Sequence, residues 1–128
     1  MITFQRIITR EDIRSNPDKI YLFGDNLLHK GYGGQAASMR GEPNAIGIPT
    51  KKTPSMEESA FFSDEDYDIA VQAIDDAFSK ISKNKTVVIP SAGLGSGRAQ
   101  LEYRAPKIWK HLQDKLFDLL TSFPNEWR

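Results

Sequence analysis

The sequence contains no cysteine. Disulfides, thiolate metal ligands and a cysteine nucleophile are all excluded. Only two histidines are present, His29 and His111. That is too few for an all-imidazole metal centre, and neither a metal nor a cofactor is expected. No apolar run approaches the ~20 residues that a membrane-spanning helix needs. The N-terminal stretch MITFQRIITRED is too polar for a secretory signal. A cytoplasmic protein with no membrane partner is the expectation. Net charge is missing as well, because 17 Lys and Arg balance 17 Asp and Glu. A broad nucleic-acid-binding surface needs clustered positive charge and is not expected. Neutrality still allows a few basic residues around one phosphate group.

What is there describes a folded chain: 39% hydrophobic and 27% charged residues over 128 positions, the size of one domain spanning residues 1–128. Ile2 to Ile8 alternates loosely and is expected as an edge strand. Lys19 to Phe23 is an apolar run ending at Gly24 and reads as a buried strand. Gln35 to Met39 opens a short helix, with Gly41 as its terminator at C′. Ala45 to Pro49 is a third strand, expected to stop at the proline, which has no N–H for a ladder. Residues 50–62 read as a loop. Ser63 and Asp66 form a capping-box-like helix start. Tyr67, Ala70, Val71, Ile74, Ala77, Phe78 and Ile81 share the face of that helix. Thr86 to Ile89 is a β-branched strand. A last helix is expected from Arg104, with Pro106 in its first turn and Ile108, Trp109, Leu112, Leu116, Leu119 and Leu120 as its buried stripe. Strands alternating with helices predict an α/β fold with an at least partly parallel sheet.

Two segments carry the functional information. GDNLLHKGYGGQAASM follows the strand at Tyr21 to Phe23, and PSAGLGSGRAQL follows Val87 to Ile89. Each is a strand, a glycine-rich turn and then a helix. Ligands of open α/β sheets sit beyond the carboxyl ends of the strands. Glycines there let backbone N–H groups approach a phosphate, and two such loops can grip a diphosphate from both sides. Neither loop is a Walker A, and Arg98 stands where a dinucleotide fingerprint has its last glycine. The alternative is that the glycines only make tight turns.

The residues then resemble the macrodomain family. Asn26-x-Leu28-x-x-Gly31-x-Gly33-Gly34-Gln35-Ala36 looks like its first loop, and Val88-Ile89-Pro90-x-x-Gly93-x-Gly95 looks like its second. Gly47-Ile-Pro-Thr-Lys51-Lys52 resembles a segment of the terminal ADP-ribose glycohydrolase branch. The resemblance runs from about Lys19 to Leu120. It implies a three-layer α/β/α sandwich with a mixed, partly parallel sheet, holding ADP-ribose or a related ADP-ribosyl nucleotide. By matching, Gly33, Gly34 and Gln35 lie at the distal ribose and diphosphate, Asn26 points at the distal ribose, and Gly31 is a further candidate ligand-binding residue. Gly93, Leu94, Gly95, Ser96 and Gly97 close over the phosphates, and Arg98 is a candidate phosphate partner. The partner is an ADP-ribose-like small molecule or an ADP-ribosylated macromolecule.

In the glycohydrolase branch a lysine attacks the anomeric carbon and an aspartate of the second loop assists. Lys51 or Lys52 matches the lysine. The aspartate position falls on Gly97, which leaves Asp25 as the nearest substitute. Binding without turnover is therefore the leading expectation, and hydrolysis through Lys51 or Lys52 the alternative. A third reading is a non-catalytic interaction domain, with the last helix and Phe123 to Trp127 in a dimer contact. His29 is a candidate for acid–base work without an identifiable partner, and His111 is expected on an exposed helix face. Tyr32 and Phe23 are weighed as stacking groups, and the Phe61–Phe62 pair as a staple or lid edge.

Overall fold

The computed structural model describes residues 1–123. Beyond Phe123, the expected contact segment running to Trp127 lies outside the described residues. Four strands, β1 (Ile2–Gln5), β2 (Lys19–Asn26), β3 (Ala45–Lys51) and β4 (Thr86–Pro90), form one sheet in the order β1-β4-β2-β3. All three strand pairings are parallel, so the sheet is not mixed. Among the described residues, the one antiparallel element is an isolated bridge between Lys51 and Phe61. The helices are α1 (Arg10–Ser15), α2 (Ala36–Met39), α3 (Tyr67–Ser79), α4 (Leu101–Arg104) and α5 (Pro106–Thr121). None is long and apolar enough to cross a membrane among the described residues.

Alternation along β2 feeds two cores. Ile20 and Leu22 join Ile48, Val87, Ile89 and the inner faces of α3 and α5. Tyr21 and Phe23 join Ile13 of α1, Ala36 and Met39 of α2, and Val88. Helix α1 has no counterpart in the expectations above. Its start is nonetheless encoded: Thr9 accepts from the Asp12 amide, and Asp12 accepts from the Thr9 amide. Its end is tied to the sheet by Asn44, whose Nδ2 donates to the carbonyls of Ile13, Asn16 and Lys19.

Several boundaries differ from expectation for physical reasons. Strand β1 stops at Gln5, short of Ile8. Strand β2 runs three residues past Phe23, because Gly24, Asp25 and Asn26 stay paired with β3. Strand β3 continues through Pro49 to Lys51. It is an edge strand, where a missing N–H need cost no ladder bond. The last helix is two pieces. Pro106 opens α5, and it holds Ala105 in a non-helical conformation at φ −144°, ψ 70° that ends α4. Helix α3 ends at Ser79, which leaves Ile81 buried in the following turn. The Ser63–Asp66 cap is present and first winds a single 3₁₀ turn, Asp64–Asp66. His111 is not a free surface residue: its Nε2 lies 2.7 Å from Asp75 Oδ1 and links α5 to α3.

Candidate functional site

Parallel pairing sends the ends of β2, β3 and β4 to the same side of the sheet. The order β1-β4-β2-β3 reverses direction between β4 and β2. Such a switch point leaves a crevice, because the two departing loops turn to opposite sides. Here both glycine-rich segments leave from it. They line one cleft of about 410 Å³, together with the end of β3. Gly31, Gly33, Gly34 and Gln35 contribute from the first loop, and Gly93 to Arg98 from the second.

The loops touch. A Cβ on Gly33 would lie 2.6 Å from Arg98 Nη1, so the arginine of the second loop rests on the first. Gly95 has φ +83°, and a Cβ there would lie 3.0 Å from Leu101 Cδ2 and 3.3 Å from Leu112 Cδ2. Only glycine takes that conformation cheaply at such close range. The amides of Gly31, Gly33, Gly34 and Gln35 find no acceptor among the described residues. The same holds for Leu94, Gly95 and Ser96. Unbonded consecutive N–H groups form anion-binding concavities. The Gln35 Oε1 atom is buried and also lacks a partner.

Asp25 and Asn26 shape the first loop. Both are buried, at 7% and 6% exposure. Asp25 Oδ1 accepts from Arg40 Nη2 at 2.6 Å and from the Asn26 amide at 2.8 Å. Its Oδ2 lies 2.8 Å from His29 Nδ1. Burial alone would raise its pKa, but the hydrogen bonds from Arg40, His29 and Asn26 outweigh it and hold the carboxyl below the usual range. Arg40 also donates to the carbonyls of Gly31 and Lys30 and lies 5.6 Å from the Phe23 ring. Asn26 accepts from the Leu28 amide and donates to the Lys30 carbonyl. Asp25 is thus an ionised anchor with its oxygens occupied, a poor general base. The partner missing for His29 in the sequence is Asp25.

The two lysines part company. Lys51 lines the cleft and is 8% exposed. Its Nζ donates to the Ser55 carbonyl and sits 4.8 Å from the Phe61 ring, on which Arg104 also rests. Burial first, then the charges of Arg98 and Arg104, push its amine below the ordinary lysine value. Lys52 points away and pairs with Asp66 at 3.3 Å. Phe61 is therefore a platform for two cations, while Phe62 belongs to the core. Tyr32 is largely exposed, and Phe23 is buried under Arg40.

Arg6 and Lys30 also border the cleft, and sequence reading missed both, as it missed the anchoring role of Arg40. Arg6 follows β1, whose adjacency to β4 is a matter of topology that no local motif announces. Among the described residues, no group of three or more His, Asp or Glu is placed to hold a metal. No curated protein and no solved structure matches the chain. A family model does match, over residues 3–115. The chain carrying this two-loop cleft belongs to that family, described as a family of unknown function (DUF7831).

Proposed function

We propose that the chain binds ADP-ribose, or a related ADP-ribosyl nucleotide, in the cleft between the two loops. The carrying observation is convergence. Unbonded amides from both loops line one cleft whose only acidic side chain among the described residues, Asp25, is already neutralised by Arg40. Such a surface suits a diphosphate. The unpartnered Gln35 Oε1 suits a ribose hydroxyl, which would supply the missing donor. The resemblance of the loops to macrodomains supports the same ligand. The two cores on opposite faces of the sheet are compatible with an α/β/α sandwich of that kind. A domain with purely structural turns leaves the unbonded amides and unpaired cations without a role.

Titration calorimetry with ADP-ribose tests the proposal. Saturable heat is expected, with a matching rise in melting temperature. At a ligand concentration 100 times Kd the gain is about 2.7 kcal/mol. Absence of both signals at millimolar ligand overturns it.

A second reading is favoured by one observation, the burial of Lys51 in the wall of the cleft, which disfavours the charged form of its amine. Its neutral amine would attack the anomeric carbon of an ADP-ribosylated macromolecule. A C–N bond forms, the bond to the macromolecule breaks, and the leaving group takes a proton. Water then releases ADP-ribose and regenerates the amine. Asp25 is engaged by Arg40 and His29, and Gly97 has no side chain, so proton transfer falls to water or substrate. Release of ADP-ribose by the wild type and by Lys52→Ala, but not by Lys51→Ala, is the expected pattern. Equal release by all three sinks this reading.

A further inference from the structure

Four basic residues border the cleft without a carboxylate partner among the described residues: Arg6, Lys30, Lys51 and Arg98. The fifth, Arg40, is spent on Asp25. A diphosphate carries about two negative charges near neutrality, by analogy with the charge of a phosphate ester. The surplus also has a place. Arg6 follows β1 and Lys51 ends β3, the outermost strands on either side of β4 and β2. Strands lie about 4.8 Å apart, so three spacings separate their ends by about 14 Å. A diphosphate held centrally by the loops of β4 and β2 fills only part of that width, which leaves room beside it for a further anion on a flank. Arg6 is exposed, and its guanidinium makes no hydrogen bond or ion pair among the described residues.

We infer that the cleft selects a ligand with a third anionic group, a phosphate monoester in addition to the diphosphate, and that Arg6 reads it on the β1 flank. Arg98 lies between the flank and the centre, since it belongs to the loop after β4 and rests on Gly33. A guanidinium grips a phosphate monoester through two parallel hydrogen bonds, which a lysine at the same place lacks. The inference rests on the nucleotide reading of the cleft, and its test separates the two.

The probes are ADP-ribose and two versions of it, one with an added phosphate on the adenosine ribose and one with it on the distal ribose. All are titrated by calorimetry at one ionic strength. One phosphorylated version is expected to bind about tenfold more tightly than ADP-ribose, the scale of one added charge-assisted contact. Which version it is tells which end of the ligand faces β1. Arg6→Gln is expected to bring that ratio close to one, and Arg6→Lys to retain part of it. Melting curves of both variants check that they fold. If ADP-ribose binds and both phosphorylated versions match it within twofold, or if the preference survives in Arg6→Gln, the third-anion inference is overturned and the nucleotide reading stands. If none of the three binds, both fall.

Discussion

At the scale of single residues, the most consequential side chain is Asp25, because it organises the first loop from the wall of the cleft. It joins Arg40, His29 and the Asn26 amide, and Arg40 reaches on to the Gly31 carbonyl. Asp25→Asn leaves a mostly buried guanidinium without its counter-charge, which costs about 3 kcal/mol. Urea denaturation is expected to show that loss, and the double variant Asp25→Asn, Arg40→Met to recover part of it. The folded-state pKa is depressed, so the contribution is present above the ordinary aspartate value of 3.8 and is lost as pH falls through the folded value. Acid titration of stability should therefore lose a component in Asp25→Asn. Lys51 gives the same sign in the alkaline range, although there the depressed pKa reflects a charged form that the fold disfavours. Its amine is depressed by burial, Arg98 and Arg104, so at alkaline pH the folded protein holds fewer protons there than the unfolded chain. An anion in the cleft favours the charged amine. Ligand binding is then expected to take up protons and to weaken as pH rises through the alkaline range. Calorimetry in buffers of different ionisation heat measures the uptake, and Lys51→Met should abolish it. The sequence singled out both residues, but their roles depend on partners 15 positions away or on other strands, which spacing does not reveal.

At the scale of elements, the strands set where the loops begin. Gly47 on β3 lies beneath Asp25: an added Cβ would sit 2.5 Å from its Oδ2 and 2.8 Å from its Cβ. The second contact is with an atom fixed to the backbone, so rotation of the side chain does not relieve it. Gly24, one residue before Asp25, would place its Cβ 3.6 Å from Thr50 Oγ1, an ordinary contact. Gly47→Ala is therefore expected to cost about 2–3 kcal/mol, and Gly24→Ala less than about 1 kcal/mol. Chemical denaturation of the pair decides it, and equal losses would remove the role assigned to Gly47. The same scale explains what the sequence made legible. Apolar runs and caps announced β2, β4, α3 and α5, because their signals are local. The reach of β2 to Asn26 and of β3 through Pro49 is set by strand pairing and edge position, neither of which is local. Helix α1 was written in Thr9 and Asp12, but its single buried residue, Ile13, offers no periodic stripe to notice.

At the scale of the whole molecule, charge is balanced overall and segregated locally. The 17 basic and 17 acidic residues cancel, yet the cleft gathers five basic residues around one neutralised aspartate. Composition averages over the surface and hides such a concentration; only the parallel topology, which brings the ends of β1, β3 and the two loops to one side, makes it visible. A consequence follows for salt. Arg6 and Arg98 are exposed, and exposed charges are screened once the Debye length falls from about 10 Å at 0.1 M to 3 Å at 1 M salt. Affinity for an ADP-ribosyl ligand is expected to fall by roughly tenfold between low and high salt, because several such contacts act together. Stability should change far less, since the pair that anchors the first loop, Asp25 and Arg40, is shielded from solvent at 4% and 13% side-chain exposure. Calorimetry and melting curves across a sodium chloride series read the two quantities side by side. Affinity that ignores salt would mean the backbone amides alone hold the ligand, and the cationic flank would lose its assigned part in recognition.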